Sequence, residues 1–120
     1  MTSRSRIITK GETTMVKNGM RPVHPGEILV EEFMKPSDPP INANMLAKAL
    51  EVPANRITAI IKGQRGMTGD TAVRLATFFN TTAEFWMNLQ KTYELRLAER
   101  ALSVKVKKHI EKQRSVLVSA

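Results

Sequence analysis

The residues of this chain that could do chemistry are hydrogen-bonding, small and cationic side chains gathered near its middle. They are Asn44, Ala54, Asn55, Arg56, Thr58, Ala59, Lys62, Gln64 and Arg65. An Asn amide can pair bidentately with adenine, an Arg guanidinium can pair with guanine or a phosphate, and a small Ala can contact the methyl group of thymine. The composition therefore fits a surface that enters the major groove of DNA, with Lys62, Gln64 and Arg65 on the phosphate backbone.

Groups for catalysis or metal binding are not found in the sequence. No nucleophile is accompanied by a base, no His or acidic residues have metal-ligand spacing, and no phosphate loop of the form GxxxxGK occurs. The chain has no cysteine, which excludes a disulfide framework and a thiolate metal site. His24 is predicted to begin a helix, because it has no evident acid–base partner. We therefore predict a protein that is not an enzyme and holds neither cofactor nor metal.

The first of two helices predicted to position the DNA-binding residues follows Asn42. Leu46, Ala47 and Leu50 fall on one helical face, and the Asn42 side chain can accept a hydrogen bond from the free N–H groups of the opening turn. Pro53 then interrupts the helix, because the residue before a proline is driven out of the helical region. The interruption is only a few residues long.

The second helix is predicted over about Pro53 to Lys62. Ile57, Ile60 and Ile61 recur at helical spacing, and Gly63 can supply the left-handed conformation that ends a helix. So short a connection makes the two helices cross steeply and share one apolar seam, as in a helix-turn-helix. The polar residues of the second helix then face outward, as a major groove requires. The same pattern is also compatible with an ordinary helical hairpin whose polar face meets water.

Three further helices complete the predicted domain. One runs from His24 to Pro36, one is capped by Thr68 and stops at Asn80, and one is capped by Thr82 and continues to about Arg100. Their apolar stripes contain Ile28, Leu29 and Phe33 in the first of these helices, Ala72, Leu75, Ala76 and Phe79 in the second, and the stripe that begins at Phe85 in the third. The sequence thus predicts an all-α domain of five helices.

The last of these helices carries a stripe that also suits a contact between molecules. It contains Trp86, Leu89, Gln90, Tyr93 and Leu97. An overlong terminal helix with an aromatic stripe fits self-association or a partner groove. We therefore predict a dimer or partner interface at these residues, with the alternative that Trp86 and Tyr93 belong to the core.

The net charge of +8 lies entirely in the two ends of the chain. Residues 1–22 carry five Lys or Arg and one Glu, residues 23–101 carry nine of each sign, and residues 102–120 carry five and one. We predict a disordered basic leader over 1–19, the helix-turn-helix domain over 20–101, and a basic extension over 102–120 whose pattern fits a helix or a strand. The basic ends could add sequence-independent attraction to nucleic acid, or serve solubility alone.

The compartment is predicted from what the sequence lacks. No apolar run among the 120 residues is long enough to span a membrane, and no hydrophobic block follows the basic residues of the N-terminus. A cysteine-free chain is also compatible with a reducing compartment. These features predict a cytoplasmic protein with no membrane partner.

Three stretches of the sequence resemble a known family. They are HPGEIL at 24–29, NMLAKALEVPANRITAIIKGQRGMTGDTAVRLATFF at 44–79 and EFWMNLQKTYEL at 84–95. Together they resemble the HigA antitoxins, also called the VapI group, within the lambda-repressor-like XRE superfamily. The resemblance covers about residues 20–100. It implies a five-helix DNA-binding domain that dimerises through its last helices and represses its own operon. It also implies a partner, a HigB toxin, which is a small RelE-like ribonuclease that the antitoxin neutralises by forming a complex.

The sequence departs from the superfamily pattern at three positions. Glu51 stands where a Gly commonly occupies the turn, which raises the question of backbone strain. Ala43 stands where a Gln commonly contacts a phosphate, and Ala54 replaces a polar residue that often leads the recognition helix. Base recognition is therefore expected to depend on Asn55, Arg56, Thr58 and Ala59.

Two other functions share much of this pattern. A solitary XRE-type transcriptional regulator without a toxin has the same core, and a protein-interaction module with a decayed DNA face would fit Ala43 and Ala54. For the antitoxin, a symmetric dimer would place two recognition helices about one turn of DNA apart, roughly 34 Å, so the operator should be an inverted repeat.

Overall fold

The computed structural model describes residues 21–118, which form six helices and no strand. The bounds are α1, which begins as an α-helix at Pro25–Ile28 and continues as a π-helix over Leu29–Met34, α2 Ala43–Leu50, α3 Ala54–Ile61, α4 Gly69–Phe79, α5 Ala83–Ala101 and α6 Val104–Leu117. The predicted all-α class and the five helices of the domain are confirmed. The predicted leader over 1–19 lies outside the described residues.

Side-chain caps begin most of these helices, as their sequences predict. The Asn42 side chain accepts a hydrogen bond from the Met45 N–H at 2.8 Å, and the Thr82 hydroxyl accepts one from the Phe85 N–H at 3.0 Å. The prediction for Thr68 is wrong in one respect. Thr68 occupies the N-cap position of α4 without accepting a backbone hydrogen bond, because its hydroxyl is directed at the Thr71 hydroxyl, 3.4 Å away.

The helix-ending positions that the sequence indicates are left-handed. Gly63 has φ 76° after α3, and Asn80 has φ 58° after α4. Glu51, in the turn between α2 and α3, also adopts this conformation, with φ 59° and ψ 47°. Glu51 therefore adopts the left-handed conformation that Gly takes most readily, although its Cβ disfavours it.

One apolar core joins the first five helices. Its fully buried large side chains include Leu29, Leu46, Ile57, Ile60, Leu75 and Trp86. The Trp86 ring lies among three Phe rings, and its indole N–H donates to the Thr81 hydroxyl at 2.8 Å, which satisfies the one polar group that Trp86 brings into the core. This core fixes α3 against the rest of the domain.

Helix α1 supports α3 through a close backbone contact. A Cβ added to Gly26 would lie 2.1 Å from the Ile60 carbonyl oxygen, so another residue would force α1 and α3 apart. The glycine of the HPGEIL stretch is thus explained by helix packing.

The C-terminal extension, whose pattern fits a helix or a strand, forms α6. The Ser103 hydroxyl caps it by accepting from the Val106 N–H at 3.1 Å, and every described residue of the helix is exposed. Among residues 21–118, no helix is both long and apolar enough to cross a membrane.

Candidate nucleic-acid interface

The outward face of α3 follows from how α3 packs on α2. Leu46, Ala47 and Leu50 of α2 are buried together with Ile57 and Ile60 of α3, so the opposite face of α3 is turned away from the core. Ala54, Asn55 and Lys62 are exposed there, Thr58 and Ala59 are half-buried, and Asn44, Gln64 and Arg65 are exposed nearby. These predicted DNA-binding residues are accessible, and their role in binding stays a prediction.

Arg56 departs from the predicted arrangement. Its guanidinium forms an ion pair with Asp70 at 2.5 Å, and its side chain is 23% exposed. Asp70 also pairs with Arg74, whose guanidinium donates to the Leu50 carbonyl oxygen at 2.7 Å. In the free protein Arg56 therefore joins α3 to α4, and Arg74 joins α4 to the end of α2. A contact of Arg56 with a base or a phosphate would require the pair with Asp70 to open, and it stays a prediction.

The electrostatics of this network favour its ionised form. Hydrogen bonds from Arg56 and Arg74 hold the pKa of the Asp70 carboxyl below its usual value. By contrast, Lys62 and Arg65 form no ion pair with any of the residues 21–118. Within the described part of the chain, Lys62 and Arg65 are the cations of the interface that can contact phosphates without breaking a salt bridge.

The Gly63–Met67 loop carries Gln64 and Arg65 directly after α3. It begins with the left-handed Gly63 and a hydrogen bond from the Gln64 N–H to the Ala59 carbonyl oxygen at 2.8 Å. It ends where the Met67 N–H donates to Oε1 of Gln90, at 2.7 Å. The loop is thus a defined turn, bonded at both ends, that carries two exposed polar side chains directly after α3.

The stripe on α5 is largely part of the core. Trp86 is 0% exposed and Gln90 is 8% exposed, so their predicted place in an interface is corrected. Trp86 fills the aromatic core, and Gln90 bonds to the Gly63–Met67 loop. Leu89 and Tyr93 are half-buried, while Leu97 is 43% exposed and remains available for a contact.

Sequence reasoning missed two exposed apolar residues of α5. Met87 and Leu95 are exposed and line a shallow groove of about 450 Å³. The signal that could have found them is their position on the helix, because they lie off the buried stripe. The exposed apolar surface of α5 therefore has two parts, this groove and Leu97.

A helix-turn-helix with an accessible second helix, set in a five-helix core, defines the class of small DNA-binding regulators. Comparison with known proteins places the chain within that class. No protein-family model matches it. Virulence-associated protein I of Dichelobacter nodosus is 49% identical over 83 residues, which cover 69% of this chain and 75% of that protein.

Two solved structures extend the comparison. A HigA-family addiction module antidote protein from Coxiella burnetii is 53% identical with a TM-score of 0.65, covering 78% of this chain and 95% of the other. Pseudomonas aeruginosa antitoxin HigA, solved with the higBA promoter, is 46% identical with a TM-score of 0.67, covering 77% of this chain and 94% of the other. The chain belongs to the HigA antitoxin family.

Proposed function

We propose that the chain is the antitoxin of a type II toxin–antitoxin module, and that it binds operator DNA as a dimer and represses its own operon. The observation that carries this proposal is the accessible face of α3, with Asn55 exposed at its start and Lys62 at its end. A family member with the same fold has been solved with its promoter. The proposed role places the protein in the cytoplasm, where the operator DNA is. We propose no catalytic activity for it.

The geometry of α3 suggests how the operator is recognised. Asn55 lies in the first turn of α3, where its amide can pair bidentately with adenine, and Ala59 can contact a thymine methyl one turn later. Lys62, Gln64 and Arg65 fix the register on the phosphates. Two copies related by a twofold axis would present two α3 helices about 34 Å apart, so the operator is an inverted repeat.

Neutralisation of a toxin is the second part of the proposed function. Family membership supports it, and the partner is a HigB-like, RelE-like ribonuclease that the antitoxin holds in a complex. The exposed apolar side chains of α5, Met87, Leu95 and Leu97, are suited to a protein contact. We assign these three side chains to the contact with a second copy of the chain. No surface is assigned to the toxin.

A gel shift tests the DNA-binding half. Purified full-length protein should shift a duplex from the promoter upstream of its own gene at concentrations well below those that shift a scrambled duplex of equal length. Specific operator binding typically exceeds non-specific binding by about a thousandfold or more at physiological salt. Equal binding to both duplexes would contradict the repressor role and favour a protein-interaction module.

Co-expression tests the antitoxin half. The reading frame next to this gene should inhibit growth when expressed alone, and co-expression of this chain should restore growth and yield a co-purifying complex. If the neighbouring gene is harmless and does not co-purify while the promoter duplex is still shifted, the protein is a solitary XRE-type regulator.

A further inference from the structure

We propose that His24 and Gln90 are positioning residues for DNA binding, which together hold the Gly63–Met67 loop in its phosphate-binding conformation. Both lie outside the helix-turn-helix, His24 at the start of α1 and Gln90 in α5. The expected effect on DNA binding rests on the proposed function. The contacts of His24 and Gln90 with the loop are present in the protein without DNA.

Gln90 holds the end of the loop. It is 8% exposed, its Oε1 accepts the Met67 N–H at 2.7 Å, and its Nε2 donates to Glu94 Oε2 at 2.7 Å. The Glu94 contact fixes the orientation of the amide, because it leaves Oε1 to face the loop. A buried polar side chain of one helix that hydrogen-bonds the backbone of a loop stabilises the conformation of that loop.

Gly66 provides the space that this contact needs. A Cβ at Gly66 would lie 2.8 Å from Nε2 and 3.0 Å from Oε1 of Gln90, so any larger residue would displace the amide. The backbone of Gly66 does not adopt a left-handed conformation. A side chain at Gly66 would therefore move the Gln90 amide away from the loop, whereas the shape of the turn does not itself call for glycine.

His24 holds the beginning of the loop. Its imidazole is 7% exposed, and Nδ1 accepts the Gly26 N–H at 2.9 Å, which fixes the ring at the start of α1. The ring packs edge-on against Tyr93 of α5 at a centroid distance of 4.8 Å. Gly63 lies against the same ring, since a Cβ there would be 3.9 Å from Cδ2, and the main chain of Arg65 interacts with it.

The two supports explain how an exposed loop can be ordered before DNA arrives. Gln64 and Arg65 are exposed, so their own side chains do not anchor the loop. Buried contacts at both ends restrict the backbone instead, which lowers the conformational entropy lost when the loop binds a phosphate. His24 and Gln90 thereby act on DNA through the loop and without touching it.

Three substitutions test the supports from both sides. Gln90→Leu removes the acceptor for the Met67 N–H, and Gly66→Ala displaces Gln90 without altering it. His24→Asn preserves the cap, because Asn is a favourable N-cap residue, but its shorter side chain loses the ring that faces Gly63 and Arg65. Glu94→Gln keeps an acceptor for Gln90 Nε2 and serves as the matched control.

The first readout is amide hydrogen exchange of the free protein, which does not depend on DNA. The Met67 amide should be protected in the unaltered protein and in Glu94→Gln, and should exchange at least about tenfold faster in Gln90→Leu and Gly66→Ala, because a buried hydrogen bond is lost. Equal protection in all four proteins would overturn the proposal whatever the protein does with DNA.

The second readout is binding to the promoter duplex over a range of salt concentrations. Gln90→Leu, Gly66→Ala and His24→Asn should each weaken binding roughly tenfold. Each should also make the negative slope of log K against log salt about 0.9 less steep, the value for one lost phosphate contact. Phe33→Leu, a core change among the rings of Phe79, Phe85 and Trp86, alters neither His24 nor Gln90. It reports the effect of lost stability alone and should leave the slope unchanged.

The outcomes separate this proposal from the proposed function. If the unaltered protein fails to bind its promoter, the repressor role fails, while the exchange experiment still decides whether Gln90 supports the loop. If the unaltered protein binds and the three variants retain both its affinity and its salt slope, His24 and Gln90 are not positioning residues for DNA.

Discussion

Glu51 occupies the turn of the helix-turn-helix with φ 59° and ψ 47°, a conformation that costs an L-residue other than Gly roughly 1–2 kcal/mol. Its backbone N–H still bonds to the carbonyl oxygens of Ala47 and Lys48, so the turn closes in spite of the Cβ. The turn therefore forms with Glu at this position, at the cost of backbone strain.

Replacing Glu51 by Gly should stabilise the protein. Relief of the left-handed strain exceeds the added entropy of the unfolded chain, so the free energy of unfolding should rise by about 0.5–1 kcal/mol. Urea denaturation of the unaltered and variant proteins measures the difference. Asn80→Gly is the control and should give a smaller gain, because Asn tolerates the left-handed region better than Glu. A loss of stability in Glu51→Gly would show that the Glu51 side chain contributes more than the strain costs.

His24 makes stability depend on pH. Burial lowers the pKa of the imidazole, while Glu27 and the Arg65 main chain partly raise it. The unfolded chain, with a pKa near 6.5, therefore takes up a proton at a higher pH than the folded protein does, and stability falls as pH drops below about 6.5. The fall ends below the folded pKa, where both states are protonated.

The thermal midpoint should accordingly decrease from about pH 7.5 to about pH 5.5. The pKa values of Glu27 and Asp70 are lowered by their Arg partners, so these carboxyls remain ionised through that range. His24→Asn should show a flatter profile. A midpoint that rises on acidification would mean that folding favours the charged imidazole.

Local residue roles were predictable where neighbours in sequence determine them. Asn42, Thr82 and Asn80 act at helix ends through contacts within a few residues. Arg56 and Gln90 could not be assigned in this way, because Asp70 and Met67 meet them across 14 and 23 residues. A sequence pattern identifies a polar residue, but it does not identify a hydrogen-bond or ion-pair partner that is distant in sequence.

At the level of secondary-structure elements, the two arginines of α3 and the Gly63–Met67 loop have different surroundings. Arg56 is bound within the domain by Asp70, whereas Arg65 is exposed in the loop. The difference follows from the placement of α4, whose first turn brings Asp70 to Arg56.

Arg56→Ala should therefore affect the stability of the protein, and Arg65→Ala should affect the salt dependence of its DNA binding. The first should reduce stability by no more than about 1 kcal/mol, because the ion pair is partly exposed, and should leave the salt slope of DNA binding unchanged. Arg65→Ala should leave the thermal midpoint unchanged and make the negative slope of log K against log salt about 0.9 less steep. Thermal denaturation and binding titrations at several salt concentrations measure both quantities. A less steep slope for Arg56→Ala would support its predicted phosphate contact.

The five helices of the domain were predictable because each carries an apolar stripe bounded by caps or prolines. The extension was not, since its apolar residues fit two periodicities and no packed neighbour selects one. The π-helical part of α1, where the Lys35 N–H bonds to the Val30 carbonyl oxygen, has no evident sequence signal.

At the scale of the whole molecule, a domain without net charge carries basic ends. Residues 23–101 hold nine cations and nine acids, while α6 is fully exposed and lies in a segment with five cations and one acid. Any attraction of the domain itself to DNA must therefore come from the local placement of its cations and not from its overall charge, and the exposed Lys62 and Arg65 are the cations proposed for it.

Dimerisation determines whether two α3 helices reach one operator. Leu97→Asp places a charge on the exposed apolar part of α5 and should convert the dimer to a monomer, with helicity unchanged. Light scattering with size-exclusion chromatography measures the mass, and circular dichroism the helicity. Asn88→Asp, at an exposed position of the same helix that does not line the Met87–Leu95 groove, is a control for charge alone. A dimer that survives Leu97→Asp would place the twofold contact elsewhere.

In the proposed function, the exposed face of α3 reads bases through Asn55. The most direct measurement compares the affinities of the unaltered protein and Asn55→Ala for the promoter duplex and for duplexes with single base changes. We expect the variant to lose discrimination at one adenine in each half-site, by about 1–3 kcal/mol, while helicity and dimer mass remain unchanged. An equal loss of affinity for every duplex would contradict base reading by Asn55.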